Sequence, residues 1–92
     1  MQVRIRVFGD IASVIGGNHT LDLDEGATVG GLTKEIARRA GQRRRGYLGR
    51  YRIGGADLAI LVNGRNIDLL EGLETILKDG DDVVLLIQNM GG

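Results

Sequence analysis

Cysteine is absent from the 92 residues, and so is proline. Without cysteine the chain has no disulfide, no thiolate metal site and no cysteine nucleophile. Histidine occurs once, as His19, so a zinc ligand set cannot be assembled from imidazole either. Lysine is scarce: Lys34 and Lys78 are the two present, set against many arginines. Net charge is also missing, since twelve basic residues balance twelve acidic ones. Bulk electrostatics therefore gives no pull toward nucleic acid or a membrane surface. No apolar run approaches membrane-spanning length. The first residues enter a charged, alternating pattern with no signal-peptide character, so the expected location is cytoplasmic. No Gly-Lys-Ser/Thr follows Gly16-Gly17 or Gly54-Gly55, which excludes a phosphate-binding loop of that type. No nucleophile, base and orienting group recur in a catalytic pattern, so no intrinsic enzyme activity is expected.

What remains is a chain of one-domain length with ordinary globular composition and abundant glycine. Val3, Ile5 and Val7 alternate with Arg4 and Arg6, the period of a strand with one buried face. Ile11 to Ile15 reads as one helical turn. Asn18 to Leu23 alternates again, and Asp24-Glu25-Gly26 is a turn. Thr28 is placed to cap a helix whose apolar stripe is Val29, Leu32, Ile36, Ala37 and Ala40, with Gly41 as its stop. Gly30 and Gly31 weaken the first helical turn by about 1 kcal/mol each relative to alanine, which suggests close packing there. Residues 42–56 read as a long, mobile, arginine-rich loop. Leu58 to Val62 is a strand, Asn63-Gly64 a tight turn, and Asn66 to Leu69 a short return strand. Gly72 to Leu77 is short helical or irregular structure. Asp79-Gly80-Asp81-Asp82 turns the chain into a last strand, Val83 to Ile87, apolar throughout. Two strands, a crossover helix and further strands give an α+β fold: a mixed sheet of four to five strands with one main helix on one face. The expected division is a domain over 1–87 and a flexible tail over 88–92.

Four stretches carry a family resemblance. They are Val3-Arg4-Ile5-Arg6-Val7-Phe8, Thr28-Val29-Gly30-Gly31-Leu32, Ile60-Leu61-Val62-Asn63-Gly64-Arg65, and Leu77 to Val83 followed by Gly91-Gly92. In that order they resemble the ubiquitin-like β-grasp sulfur carriers: the small subunit of molybdopterin synthase, its thiamine-pathway relative, and the archaeal ubiquitin-like modifiers. Molybdopterin carriers usually have prolines after the last strand, where this chain has Ile87-Gln88-Asn89-Met90. The resemblance implies a protein co-substrate with no bound cofactor. ATP is used by an activating partner, a ubiquitin-activating-type adenylyltransferase that adenylates the carboxylate of Gly92. Sulfur transfer then makes a thiocarboxylate, delivered with a large subunit or another sulfur-accepting enzyme to molybdopterin or a related sulfur-containing cofactor, or to tRNA. Conjugation of Gly92 to target lysines is the alternative the same end allows, with Lys34 and Lys78 as acceptors within this chain. A β-grasp binding module without such chemistry is the third.

The physical demands of that chemistry suit Gly91 and Gly92. The carboxylate must reach the α-phosphate of ATP inside a partner's closed site, and glycine has no side chain to obstruct a narrow channel. Five residues past the last strand give about 16 Å of reach. Strand alternation puts Val84 and Leu86 opposite to Val83, Leu85 and Ile87. If the second set meets the helix, the first lies on the open face, joined by Leu61 and forming an apolar patch suited to partner docking. Met90, flexible and apolar, is a further candidate contact.

Seven arginines fall between Arg38 and Arg52, interleaved with Tyr47 and Tyr51. The expected state is a solvated segment balanced by the carboxylates between Asp57 and Asp82, with nucleic acid an unlikely partner. Asp79, Asp81 and Asp82 lack the later glutamate of a calcium loop and are read as a β-turn.

Overall fold

The computed structural model describes residues 1–87. Strand β1 (Gln2–Val7) alternates exposed and buried side chains along its whole length. A single helical turn, α1 (Ala12–Ile15), leads into β2 (Asn18–Asp22), antiparallel to β1. Helix α2 (Val29–Arg39) crosses over. It is followed by a small hairpin of β3 (Tyr47–Leu48) and β4 (Tyr51–Arg52). Then come β5 (Leu58–Val62), β6 (Arg65–Asn66), two 3₁₀ turns and β7 (Asp82–Ile87).

The main sheet has five strands in the order β2-β1-β7-β5-β6. β1 and β7 run parallel at its centre, and the other pairs are antiparallel. Val29, Leu32 and Ile36 of α2 pack on Val3, Ile5, Leu21, Ile60, Val83 and Leu85, each at most 2% exposed. This is the two-layer α+β arrangement expected of a β-grasp. Among the described residues, no helix is long and apolar enough to cross a membrane.

Local chemistry explains the boundaries. The Thr28 hydroxyl accepts from the Gly31 amide at 3.2 Å, capping α2, and Gly41 lies just beyond the C-cap Ala40. Of the two early glycines, Gly30 has the tight neighbour. A Cβ there would lie 3.2 Å from the Leu73 carbonyl oxygen, so glycine lets the Gly72–Glu74 turn close on the helix. At Gly31 the nearest atom is Thr28 Oγ1 at 3.6 Å, an ordinary contact. Asn63 and Gly64 both have positive φ, 51° and 86°, the pattern of the tight hairpin turn expected between β5 and β6.

Two expectations need correction. Residues 42–56 are not a simple mobile loop. Leu48 is fully buried, Tyr51 is 9% exposed, and the Tyr51 hydroxyl donates to Asp10 Oδ1 at 3.0 Å. The β3–β4 hairpin is thus tied into the core and to the turn between β1 and α1. Its strands of two residues are too short to display a period. The return strand is also shorter than expected. Pairing stops at Asn66, whose side chain accepts from the Asp68 amide at 2.9 Å and starts a 3₁₀ turn over Ile67–Leu69.

The hairpin's role in the core has a direct test. Leu48→Ala should destabilise the fold by about 2–5 kcal/mol in urea titration, as for other fully buried leucines. A loop lying on the surface would lose about 0.5 kcal/mol or less.

Candidate functional site

The last strand is held at its start by a carboxylate clamp. Gly80, with φ +84°, makes the turn. The Gln2 amide donates to Asp79 Oδ1 at 2.7 Å, and the Gly80 amide donates to the Gln2 carbonyl at 2.7 Å. Asp81 accepts from the Lys78 amide at 2.8 Å and from Asn63 Nδ2 at 2.9 Å. The Asp82 amide donates to Asn63 Oδ1 at 3.0 Å, and the Asn63 amide to the Asp82 carbonyl at 2.8 Å. These aspartates therefore serve β-turn hydrogen bonds to backbone and amide groups, as their spacing suggests. The clamp joins the start of β1, the β5–β6 turn and the start of β7 in one network.

From that fixed start, strand alternation sorts β7. Val83 and Leu85 are fully buried under α2, while Val84 and Leu86 are half-buried on the other face. Leu61 of β5 lies directly across from Val84, and Ala59 across from Leu86. The structure thus brings Leu61, Val84 and Leu86 into one patch on the open face. It adds one residue that the sequence reading left out. The Phe8 amide donates to the Leu85 carbonyl at 2.9 Å, which carries the β1–β7 ladder one residue past Val7. The Phe8 side chain is 51% exposed. The available signal was parity: Arg4, Arg6 and Phe8 fall on the same side of the β1 alternation.

The same face becomes polar toward the start of β7. Arg6 Nη2 meets Asp82 Oδ2 at 3.1 Å, and Arg4 is Asp82's register partner. The apolar residues therefore sit toward the end of β7. Met90, Gly91 and Gly92 lie outside the described residues. Lys34 is exposed on α2 and Lys78 is exposed in the turn before β7, on separate elements. No three His, Asp or Glu side chains gather as a metal site among the described residues.

The arginine-rich segment is paired differently from expectation. Its carboxylate partners are not those between Asp57 and Asp82. Glu35 takes Arg38 at 2.6 Å and Arg39 at 3.1 Å, and Arg50 approaches Asp10 at 3.8 Å. Two successive turns of α2 bring Glu35, Arg38 and Arg39 together at i, i+3 and i+4 spacing. Hydrogen bonds from Arg38, then Arg39, hold the Glu35 carboxyl down to about 2.

The chain matches the family model described as the ThiS family over residues 5–92. Small archaeal modifier protein 1 from Methanosarcina acetivorans is 26% identical, with TM-score 0.76, covering 99% of this chain and 96% of that one. A putative molybdopterin converting factor, subunit 1, from Pyrococcus furiosus is 29% identical, with TM-score 0.74, covering 95% and 97%. The complex of subunits 1 and 2 of the molybdopterin-converting factor from Helicobacter pylori contains a chain 28% identical, with TM-score 0.63, covering all of both chains. No curated protein matches the chain.

The Glu35 cluster predicts a pH response with a definite sign. Because its pKa is lowered on folding, its contribution is present above the ordinary value of 4.5 and is lost as pH falls through about 2. The cluster faces solvent, so added salt should weaken it. An NMR titration of the Glu35 carboxyl should show a midpoint near 2, and Arg38→Ala should move it back toward 4.5.

Proposed function

The chain belongs to the ThiS family, and on that footing we propose that it carries sulfur as a thiocarboxylate on Gly92. Proteins of this family are sulfur carriers or ubiquitin-like modifiers, non-catalytic co-substrates and small subunits; this chain is one of them and not an enzyme. The observation that carries the finer reading is that the family match runs through Gly92 itself. Residues 1–87 form the domain in this reading, and 88–92 the arm that delivers the reacting group.

The chemistry proceeds in two displacements. A carboxylate oxygen of Gly92 attacks the α-phosphorus of ATP in the partner's site, and pyrophosphate leaves. A hydrosulfide equivalent then attacks the acyl-adenylate carbon, and AMP leaves with the electron pair of the broken C–O bond. The product is a thiocarboxylate, whose anionic sulfur is the nucleophile delivered onward. This chain supplies no acid or base. ATP, a reactant of the ubiquitin-activating-type adenylyltransferase, binds to that partner.

Docking falls to the open face. Phe8, Leu61, Val84 and Leu86 offer an apolar patch beside the exit of β7, so a partner seated there is placed to receive the arm. Met90 within the arm is a further contact. The Helicobacter pylori relative is found in a complex of subunits 1 and 2, which supports a large-subunit partner for this chain as well. The likeness to a small archaeal modifier protein supports a second use of the same end, conjugation to target lysines. Lys34 and Lys78 are then the side-chain acceptors in a second copy.

Incubation with the cognate activating enzyme, ATP and a sulfur source should raise the intact mass by about 16 Da, oxygen replaced by sulfur. Removing Gly91 and Gly92 should abolish that gain; no gain with a competent enzyme rejects the carrier reading. Phe8→Ala and Leu61→Ser should each raise the activating enzyme's KM for this chain by about tenfold, with kcat little changed. Tryptic digestion of cell extract distinguishes conjugation, because target lysines would then bear the remnant Asp79 to Gly92.

A further inference from the structure

A second recognition surface lies on the helix layer, away from the open face. Between the C-terminal half of α2 and the β3–β4 hairpin is a groove of about 580 Å³. Lys34 and Arg38 of α2, the latter already paired with Glu35, line one side, and Arg43, Arg44 and Arg45 the other, with no carboxylate in the lining itself. Ala37, Tyr47 and Ile53 provide an apolar floor. Arg43, Arg44 and Arg45 are all exposed, and none has an ion-pair partner among the described residues. The chain's net charge of zero conceals this concentration.

We propose that this groove docks an acidic peptide segment of a partner protein, one that presents an apolar side chain between carboxylates. The cationic rim calls for an anionic ligand, and guanidinium forks match carboxylates in bidentate fashion. The floor calls for something a phosphodiester backbone does not bring, an aliphatic or aromatic group. A nucleobase would need a free ring face on which to stack. One face of the Tyr47 ring, the aromatic side chain in this lining, is already taken by the Arg44 guanidinium, whose Cζ is 3.7 Å from its centroid. That contact also pre-orders Arg44 at the rim, lowering the conformational cost of binding. Because α2 lies on the sheet face opposite Val84 and Leu86, the groove can be occupied while the open face is engaged. The proposal does not rest on the chemistry of Gly92, and its test needs neither ATP nor a sulfur donor.

The immobilised full chain would be presented with a library of eight-residue peptides built from Asp, Glu, Leu, Phe and Ser. Labelled oligouridine serves as the nucleic-acid arm. Peptides combining at least two carboxylates with a Leu or Phe should be enriched at least tenfold over Ser-rich ones. Their affinity should fall at least tenfold in the Arg43→Ala, Arg44→Ala, Arg45→Ala triple variant, and further with added salt. Circular dichroism and thermal melting should show that this variant, altered only at exposed positions, remains folded. Lys substitution at the same three positions should restore part of the binding. Absence of enrichment, enrichment indifferent to the apolar residue, binding unchanged by the triple variant, or tighter binding of oligouridine than of any peptide would each overturn the proposal.

Discussion

The insertion of β7 between β1 and β5 is the constraint from which the rest of this molecule follows. It joins the two halves of the sheet and supplies Val83 and Leu85 to the core beneath α2. A register slip of one residue would turn Val84, Leu86 and Asp82 toward the helix and put Val83 and Leu85 outside. The hydrogen bonds of Asp79, Asp81 and Asn63 prevent that slip, because they bind the start of β7 to two neighbouring elements at once. The clamp is polar and largely exposed. Its value lies in choosing one register, more than in net stability.

Features decided by neighbours in sequence were legible. The alternation in β1, the Thr28 cap, the Asn63-Gly64 turn and the aspartate turn before β7 each rest on residues a few positions apart, and each appears where the pattern put it. The fold class followed, and so did the grouping of Leu61 with Val84 and Leu86, since strand parity settles faces once strand order is known. Features decided by distant partners were not legible. Leu48 and Tyr51 sit among glycines and arginines, and nothing near them announces that one fills the core and the other donates to Asp10. Phe8 belongs to the open face only because β1 pairs past Val7. The arginines were visible as a cluster; Arg38 and Arg39 pair with Glu35 one turn earlier on the same helix, a spacing the sequence displays, whereas Arg50 approaches Asp10 from a distant part of the chain. Met90, Gly91 and Gly92 were assigned from chemistry and family resemblance, and they lie outside the described residues.

The two layers present different chemistry to the outside. One offers an apolar patch with ion-paired residues at its far end; the other offers a cationic groove with an apolar floor. The helix is what separates them. Its inner stripe completes the core, and its outer residues Lys34 and Arg38 face the hairpin. Tight closure of the Gly72–Glu74 turn at Gly30 fixes the opposite end of the same helix. Small changes in either turn or hairpin would therefore tilt one surface relative to the other.

The parallel pairing of β1 with β7 also bears on synthesis. Arg4 pairs with Asp82 and Val7 with Leu85, so the sheet's central ladder joins the first strand to the last. Loop closure on that scale comes late, after local turns and the helix have had time to form. On the ribosome, β1, β2 and α2 emerge with an empty slot where β7 belongs, and the sheet can close only once that strand has left the exit tunnel. A nascent chain that stops short of Asp82 lacks the strand that joins β1 to β5. Folding thus depends on length: the native five-stranded sheet requires translation through β7.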